Sequence, residues 1–459
     1  MLFNSYAFLL VFLPAALIVY ALADPYPRAR MPVLLALSLV FYGYWDVRFL
    51  PLLVASILVN WLAAKAYVAT KQGGIVTAAI VANLAALGFF KYMNFFAETV
   101  SAFGLPLGPF AIVLPLGISF FTFHHIMYLV DLRKGKAPAY PLDRYALYIA
   151  FFPQAIAGPL ARWSQVMEQF GRQVYQPGWQ RQFALGATFI VIGLVQKVFI
   201  ADPIGALINP VYEQATKGAV PRGEAWLALG FGFQILFDFA GYSDIAIGLG
   251  LLFGVRLPFN FNTPLRSTNL QDLWQRWHMT LLAFLRDYLF QPLANWRLTR
   301  RRLRLVQYFA AMALTMALCG LWHGASWTFV LWGTLHGIGL VIVSLWRRYG
   351  WRMPALAGWA LTISFALLSA VIFRAVTLDA ARHIYQGLAI VPGLSDLARA
   401  YPIFVAAFCA LALPASQDIA EWLVTRPRRL VAATLGLIMV AVLVALGDRD
   451  VYEFVYFQF

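Results

Sequence analysis

The sequence has few charged residues and few cysteines. Charged residues make up 12% of its 459 residues, and only 20 residues are acidic, whereas soluble domains carry about 25% charged residues. The two cysteines, Cys319 and Cys409, lie in separate apolar stretches without metal-ligand spacing. These shortages exclude a soluble globular protein, a disulfide framework and a cysteine-based zinc site.

Apolar and aromatic residues are abundant instead. Hydrophobic residues make up 62% of the chain and aromatic residues 16%, which is typical of an integral membrane protein with aromatic side chains at its interfaces and in its interior. The net charge is +15, but the basic residues lie mainly in short loops between apolar runs, as the positive-inside rule describes for cytoplasmic loops. We therefore expect contact with membrane lipid and no nucleic acid partner.

The apolar runs predict an all-α, polytopic membrane bundle. About 20 apolar residues cross a bilayer, so we expect about eleven spans, with re-entrant or amphipathic helices in the polar stretch between Tyr140 and Arg300. The first run lacks a basic leader, and we interpret it as a retained span rather than a signal peptide. No internal repeat or linker stands out, so we expect one continuous domain over residues 1–459. The apolar runs lie near residues 6–23, 31–45, 50–64, 75–90, 110–130, 183–200, 226–253, 308–321, 328–345, 356–373, 402–413 and 430–446.

A polar segment separates the apolar runs in the second half of the chain. It opens at Asn269, a good helix cap, and its apolar side chains up to Tyr288 share one face of a predicted amphipathic helix. Such a helix can anchor the chain in the membrane interface. The segment holds more polar residues than anchoring needs, and the arginines that follow, Arg297 to Arg304, suit either anionic lipid headgroups or a phosphorylated ligand.

One histidine, His323, lies between two long apolar stretches, in residues 321–327. An ionisable side chain among membrane spans is costly, so its presence indicates a relay, a ligand or a catalytic base. Neutral imidazole can accept a proton from an alcohol, and desolvation favours the neutral form. The alternative is a histidine at a hairpin tip that simply forms hydrogen bonds at the interface.

Two acidic residues, Asp238 and Asp244, lie within another apolar run. They would be expensive if they faced lipid, so we expect them to face a cavity, a basic side chain or a helix dipole. Lys197, Arg256 and Arg266 are available partners. Structural pairing and chemistry are equally compatible with this pattern.

The remaining histidines carry weaker signals. The adjacent pair His124 and His125 lies within an apolar run, and without nearby carboxylates it is a poor metal site. His336 and His383 are interpreted as structural. We expect no bound metal.

Several ordered motifs together resemble the membrane-bound O-acyltransferase family. Residues 271–278, 285–289 and 320–325 carry the resemblance, and the nearest branch is the bacterial one of alginate O-acetyltransferases and related polysaccharide acetylation proteins. Supporting motifs lie at residues 114–123, 151–159, 237–244 and 456–459.

The resemblance implies an O-acyltransferase that moves an acetyl group from cytoplasmic acetyl-CoA through a transmembrane tunnel to an acceptor hydroxyl. It implies His323 as the general base and His278 as a second catalytic residue that orients or polarises the thioester, or else a residue that stabilises the helix lining the tunnel. It also implies a bacterial inner membrane, an exported polysaccharide such as alginate, and a periplasmic acetyltransferase or SGNH-type partner.

Acetyl-CoA is expected as the acyl donor and not as a bound cofactor. Guanidinium groups are suited to binding its phosphates, because they form forked, charge-assisted hydrogen bonds. The arginines expected in this role are Arg276, Arg286, Arg300, Arg301 and Arg302.

Other functions remain open at this point. The continuation at residues 279–281 also resembles the D-alanyl transferases of teichoic acid modification, and residues 292–297 depart from the Gly-Gly-Asn-Arg pattern of the alginate branch. A lipid or protein acceptor is a further alternative within acyl transfer. A transporter or flippase would also use buried Asp, Arg and His beside broken helices. A non-catalytic scaffold is disfavoured because it needs no histidine in a desolvated hairpin.

Overall fold

The computed structural model describes residues 1–105, 107–221, 223–296, 301–425, 428–447 and 453–455, with only the backbone at residues 301, 302 and 428. These residues form helices and loops and contain no strand, so the all-α prediction is confirmed. The motif at residues 456–459 lies outside the described residues.

The chain packs into two compact units. Unit 1 comprises Met1–Ile192, Tyr242–Phe259 and Ala420–Val451, and unit 2 comprises Gly193–Gly241, Asn260–Ile419 and Tyr452–Phe459. The single continuous domain over residues 1–459 stays a prediction.

Among the described residues, unit 1 contains the first twelve helices of the chain and the last one. An amide pair joins two of them: the Asn60 side chain donates to Asn83 Oδ1 over 3.2 Å, and Asn83 donates back to Asn60 Oδ1 over 2.7 Å. Side-chain hydrogen bonds of this kind hold helices together where water is absent. The helices that begin in unit 1 are Ala7–Phe12, Leu13–Ala23, Pro27–Trp45, Val47–Phe49, Leu50–Thr70, Gly73–Leu87, Gly88–Tyr92, Met93–Ser101, Ile118–Arg133, Leu142–Ala150, Trp163–Val166, Trp179–Val195 and Arg428–Gly447.

Unit 2 contains the remaining helices, among them the long pair that carries His323. Its helices are Gln196–Ala201, Asp202–Thr216, Glu224–Gly230, Phe231–Leu252, Pro264–Arg266, Leu270–Arg276, Met279–Phe284, Leu285–Phe290, Gln291–Ala294, Arg301–His323, Trp327–Arg348, Ala355–Arg374, Leu378–Gly387, Leu394–Arg399, Tyr401–Ala412 and Ser416–Val424. Phe231–Leu252 and Ser416–Val424 begin in unit 2 and end in unit 1.

The described residues contain fewer membrane-length helices than the sequence has apolar runs. Among the described residues, eight helices are long and apolar enough to cross a membrane, or nine if the pair Tyr401–Ala412 and Ser416–Val424, bent by 70°, counts as one span. The predicted span at 110–130 is wrong: only Ile118–Arg133 is helical there. Gly117, at φ +70°, sets the start of that helix, and its 16 residues are short for a bilayer that requires about 20.

Two helices of unit 2 touch at glycine residues. A Cβ atom at Gly320 would lie 2.2 Å from the Phe329 carbonyl oxygen, and one at Gly333 would lie 2.2 Å from the Met316 carbonyl oxygen. Such close approach is characteristic of helix pairs in membranes, where small residues allow backbones to meet. The contact fixes Arg301–His323 against Trp327–Arg348 and thereby determines what surrounds His323.

The polar segment is not one continuous amphipathic helix, which corrects the prediction. Asn269 does cap the segment, because its side chain accepts the Asp272 N–H over 3.0 Å. The first helix then ends at Arg276, and His278 adopts a left-handed conformation with φ +44°. Asn260 explains the break: its carbonyl oxygen accepts the N–H of residue 279 over 2.9 Å, and its side chain accepts the hydroxyl of residue 280 over 2.6 Å.

We expect Gly333→Ala to destabilise the protein by about 1–3 kcal/mol, the usual cost of overpacking, because the added methyl would press on the Met316 carbonyl oxygen. Thermal unfolding in detergent measures the change. Gly436→Ala is the matched control, since a Cβ atom there meets nothing within 4 Å, and it should leave the unfolding midpoint unchanged or slightly raised. Equal midpoints for the two variants would contradict the proposed helix contact.

Candidate active site

His323 is buried between aromatic rings at the end of its helix. Its side chain is 8% exposed. The centroid of its ring lies 5.5 Å from the Trp332 ring at an interplanar angle of 90°, and 5.2 Å from the Phe373 ring at 68°. Trp332 belongs to the helix brought close by the glycine contact, so the helix pairing places an imidazole against an apolar wall.

A small apolar cavity of about 70 Å³ adjoins His323. Its lining residues all belong to unit 2, and those with a polar side-chain group are two histidines and three tryptophans. The lining residues are Phe231, Gly232, Ile235, Leu265, Leu273, Trp274, Trp277, His323, Trp332, His336, Ala366, Leu367, Ala370 and Phe373. Such a concave, mostly apolar site with a few polar groups is the usual form of a small-molecule site.

His336, which the sequence led us to treat as structural, also lines this cavity. The Trp274 indole N–H donates to His336 Nδ1 over 3.2 Å, and His336 Nε2 lies 3.0 Å from the Ser369 hydroxyl oxygen. Since Nδ1 accepts, Nε2 carries the proton and donates it to Ser369. Both ring nitrogens are therefore engaged, and His336 holds the Trp274 ring in place.

The aromatic walls are what sequence reasoning missed. Trp332 and His336 are four residues apart and share a helix face, so part of the wall was available from spacing. Phe373 lies 50 positions after His323 in the sequence. No local pattern connects Phe373 to His323.

His278, the second predicted catalytic residue, is 1% exposed. Its Nδ1 lies 3.3 Å from Asn260 Oδ1, and its ring packs edge-on against Phe239 with centroids 4.7 Å apart. The left-handed backbone of a non-glycine residue costs about 1–2 kcal/mol, which persists only where the surroundings enforce it. Strain of this kind is found preferentially at functional sites.

The rings of His278 and His323 both pack against Trp322. The centroid distances to the Trp322 ring are 6.4 Å for His278 and 4.7 Å for His323. The residues that line the cavity include Trp277 and His323 but not His278. The structure thus brings the two predicted catalytic histidines into one aromatic cluster, with only His323 at the cavity wall.

Two of the five predicted arginines form ion pairs. Arg276 Nε lies 2.7 Å from Asp272 Oδ1, and Arg286 Nε lies 2.7 Å from Asp287 Oδ1. The hydrogen bond with Asp287 raises the pKa of the 58% exposed Arg286. Neither arginine lines the cavity. Arg300 lies outside the described residues, as do the side chains of Arg301 and Arg302, so a role of the five arginines in binding phosphate stays a prediction.

Two other polar features have structural partners. Asp238 pairs with Lys197, as expected, with 2.7 Å between Oδ1 and Nζ. In unit 1, His125 lies between the Ser56 hydroxyl, 2.9 Å from Nε2, and the Tyr145 hydroxyl, 2.6 Å from Nδ1. In the described part of the chain no three His, Cys, Asp or Glu residues form a group that could hold a metal ion.

The arrangement supports proton transfer beside a short apolar substrate. A neutral imidazole is a competent general base, and His323 presents its imidazole at the cavity wall. Apolar walls lower the local dielectric constant, which strengthens electrostatic interactions with a reacting group.

Comparisons with known proteins identify relatives along most of the chain. Residues 112–374 match the family model of the membrane-bound O-acyltransferase (MBOAT) family. The chain is 35% identical over 435 residues to a peptidoglycan O-acetyltransferase of Helicobacter pylori, covering 86% of this chain and 81% of that protein. It is 38% identical over 404 residues to a probable alginate O-acetylase of Pseudomonas aeruginosa, covering 84% and 75%. A teichoic acid D-alanyltransferase of Streptococcus thermophilus is 29% identical over 238 residues, covering 51% and 57%.

We expect His278→Asn to flatten the dependence of stability on acid pH. Burial lowers the pKa of His278 to about 3, whereas in an unfolded chain a histidine binds a proton below about pH 6.5. Between these values the unfolded state holds more protons, so the wild-type protein loses stability as pH falls, by up to about 1.4 kcal/mol per pH unit from this residue. Asparagine does not titrate and tolerates the left-handed conformation.

The free energy of unfolding in detergent, measured from pH 7.5 down to 4.5, tests this expectation. His383→Asn is the control, because that half-exposed side chain lies on a different helix, and it should keep a steeper slope than His278→Asn. If His278→Asn has the wild-type slope, His278 is not held neutral by burial.

Proposed function

The chain belongs to the membrane-bound O-acyltransferase family, and on that premise we propose that it transfers an acetyl group from acetyl-CoA to a hydroxyl group of an exported cell-envelope polymer. It is an acyltransferase that crosses the membrane several times. The observation that carries the proposal is the placement of His323 at the wall of a short apolar cavity.

In this proposal His323 is the general base. It removes the proton of the acceptor hydroxyl as the oxygen attacks the thioester carbonyl carbon. The new C–O bond forms, the C–S bond breaks, and the proton on the imidazolium passes to the leaving thiolate, so that free CoA thiol is released. General-base assistance of this kind contributes about 10²–10⁴-fold to a rate.

The size of the cavity favours a short acyl group. A volume of about 70 Å³ holds roughly five water-sized atoms at about 10–15 Å³ each. The two carbons and one oxygen of an acetyl group fit this space. We therefore propose that the cavity holds the acetyl group beside His323.

The other predicted site residues have supporting roles in the proposal. His278 shapes the polar segment next to Trp322 and orients the thioester. Arg276, Arg286, Arg300, Arg301 and Arg302 are proposed to hold the CoA phosphates, and the tunnel implied by the resemblance connects that donor to the acceptor side.

The names of the relatives support a cell-envelope polymer as acceptor. The peptidoglycan O-acetyltransferase and the alginate O-acetylases match over most of the chain. We propose an exported polysaccharide such as alginate, a bacterial inner membrane location, and a periplasmic SGNH-type acetyltransferase as the partner that completes transfer.

D-alanyl transfer is the second candidate, because the two teichoic acid D-alanyltransferases match 51% and 58% of the chain. Their identities of 29% and 26% lie below the 35% of the peptidoglycan O-acetyltransferase. The donor separates the candidates: purified protein that consumes acetyl-CoA and releases free thiol is an acetyltransferase. Family membership favours either transfer reaction over a transporter or flippase.

We expect His323→Ala to reduce acetyl transfer by at least about 10²-fold, since it removes the proposed base. The measurement is thiol release from acetyl-CoA by purified protein in liposomes with a polysaccharide acceptor. His383→Ala, the matched control, should retain wild-type turnover and the same elution profile. Near-normal turnover by a folded His323→Ala variant would overturn the catalytic assignment, and unchanged turnover in His278→Ala would reduce that residue to a structural role.

We expect Ala370→Leu to reduce acetyl transfer by roughly tenfold or more, because the larger side chain fills the cavity next to the base. Ala360→Leu makes the same change at an exposed position of the same helix, and it should leave turnover unchanged. Thermal unfolding shows whether both variants remain folded. Equal turnover in the two variants would mean that the acetyl group is held elsewhere.

A further inference from the structure

A buried ion cluster lies in unit 2, apart from the histidines. Lys197 Nζ is 2.7 Å from Asp238 Oδ1 and 2.8 Å from Asp202 Oδ1. The exposed fractions are 1% for Lys197, 1% for Asp238 and 8% for Asp202. Removing each of these charges from water costs several kcal/mol. The presence of buried ionisable groups within membrane spans is therefore a reason to look for a function.

The local backbone brings these side chains together. A Cβ atom at Gly241 would lie 2.7 Å from the Gly193 carbonyl oxygen, so the two helix backbones touch there. Three residues after Gly193, the chain widens into the π-helical segment Gln196–Ala201, which carries Lys197. Single π-helical turns of this kind occur frequently at functional sites.

The cluster binds a distant segment of the same chain, Glu453–Val455, which we call the tail segment. Lys197 Nζ donates to the Glu453 carbonyl oxygen over 3.1 Å, and the Val455 N–H donates to Asp238 Oδ2 over 2.8 Å. The Phe454 ring lies 4.7 Å from the ammonium group. The Lys197 ammonium group therefore contacts Glu453 and Phe454, and the Asp238 carboxylate binds Val455.

The cluster is complementary to the backbone of the tail segment. One ammonium and two carboxylates give the cluster a net charge of −1. A peptide N–H that donates to a carboxylate stabilises this negative charge. The tail segment has no regular helix of its own at Glu453 and Phe454, so its backbone groups need partners in an apolar interior. The cluster supplies one acceptor and one donor.

The cluster is also close to the candidate active site. Asp238 lies on helix Phe231–Leu252, three residues after Ile235, which lines the His323 cavity. Three residues correspond to about 4.5 Å along a helix. The next residue, Phe239, contacts the ring of His278. The helix that holds the tail segment thus also forms part of the site.

We propose that Lys197, Asp202 and Asp238 form a clamp that holds the tail segment against the active-site helix, and that acyl transfer requires the tail segment in place. They act as positioning residues, because they contact the tail and not the cavity. The activity part of this inference rests on the proposed function, whereas the docking part does not.

Thiol labelling tests the docking directly. In a background without Cys319 and Cys409, Val455→Cys introduces a thiol at a position that is 4% exposed, and Glu453→Cys introduces one at an exposed position. We expect a membrane-impermeant maleimide to label position 455 at least about tenfold more slowly than position 453. Equal rates with the clamp intact would overturn the docking.

Clamp variants supply the second comparison. Lys197→Met should raise the labelling rate at position 455 at least about tenfold, and Lys197→Arg should retain slow labelling. Because Lys197→Met leaves two buried carboxylates, Phe454→Ala provides a variant that keeps all three charges, and it should also expose position 455. Arg399→Met is the control: it removes an ion pair with Glu224 in the same unit and should leave position 455 slow to label. Slow labelling in both Lys197→Met and Phe454→Ala would overturn the clamp.

Acetyl transfer by the same proteins, with the native residue at position 455, separates positioning from packing. Turnover should fall at least about tenfold in folded Lys197→Met and Phe454→Ala and recover in Lys197→Arg. If position 455 becomes exposed while turnover is unchanged, the catalytic requirement is wrong. If no variant or wild-type protein transfers acetyl groups, the proposed function fails, but the labelling result still decides whether the tail segment is docked.

Discussion

A polar group inside a bundle of apolar helices must find its partner within the protein, because lipid offers no hydrogen bonds. This constraint explains the interior of both units. Asn60 and Asn83 satisfy each other in unit 1, and His336 in unit 2 is engaged at both ring nitrogens. The chain can keep ionisable groups in the membrane only where its fold supplies such partners, and those places are where chemistry becomes available.

The two histidines of the candidate site meet this constraint differently. His323 ends a regular helix and is enclosed by Trp332 and Phe373, which the glycine contact between two helices makes possible. His278 is held by Asn260 at a break between helices, in a left-handed conformation. The first arrangement leaves an imidazole at a cavity wall, and the second fixes the polar segment beside it.

Local sequence patterns correctly predicted the features that depend on neighbouring residues alone or on the cost of burying a charge. The cap at Asn269, the membrane helices and the pairing of Asp238 with a basic residue such as Lys197 all follow from propensity, hydropathy and the cost of a lone buried charge. The predictions of a span over residues 110–130 and of one unbroken amphipathic helix were wrong. The left-handed conformation of Gly117 delays the start of one helix, and the hydrogen bonds of Asn260 interrupt the other. Helical periodicity in the sequence shows neither effect.

The sequence by itself determined the class of the protein, the approximate position of most of its membrane helices, and His323 as the residue to examine, because hydropathy and the cost of intramembrane charge depend on composition within a short window. Only the tertiary structure decided what His323 faces and what Lys197 binds. Lys197 and Glu453 are 256 residues apart, and a cavity wall is assembled from several helices. Such contacts depend on how backbones meet, at glycine residues and helix breaks, and no single stretch of sequence specifies that geometry.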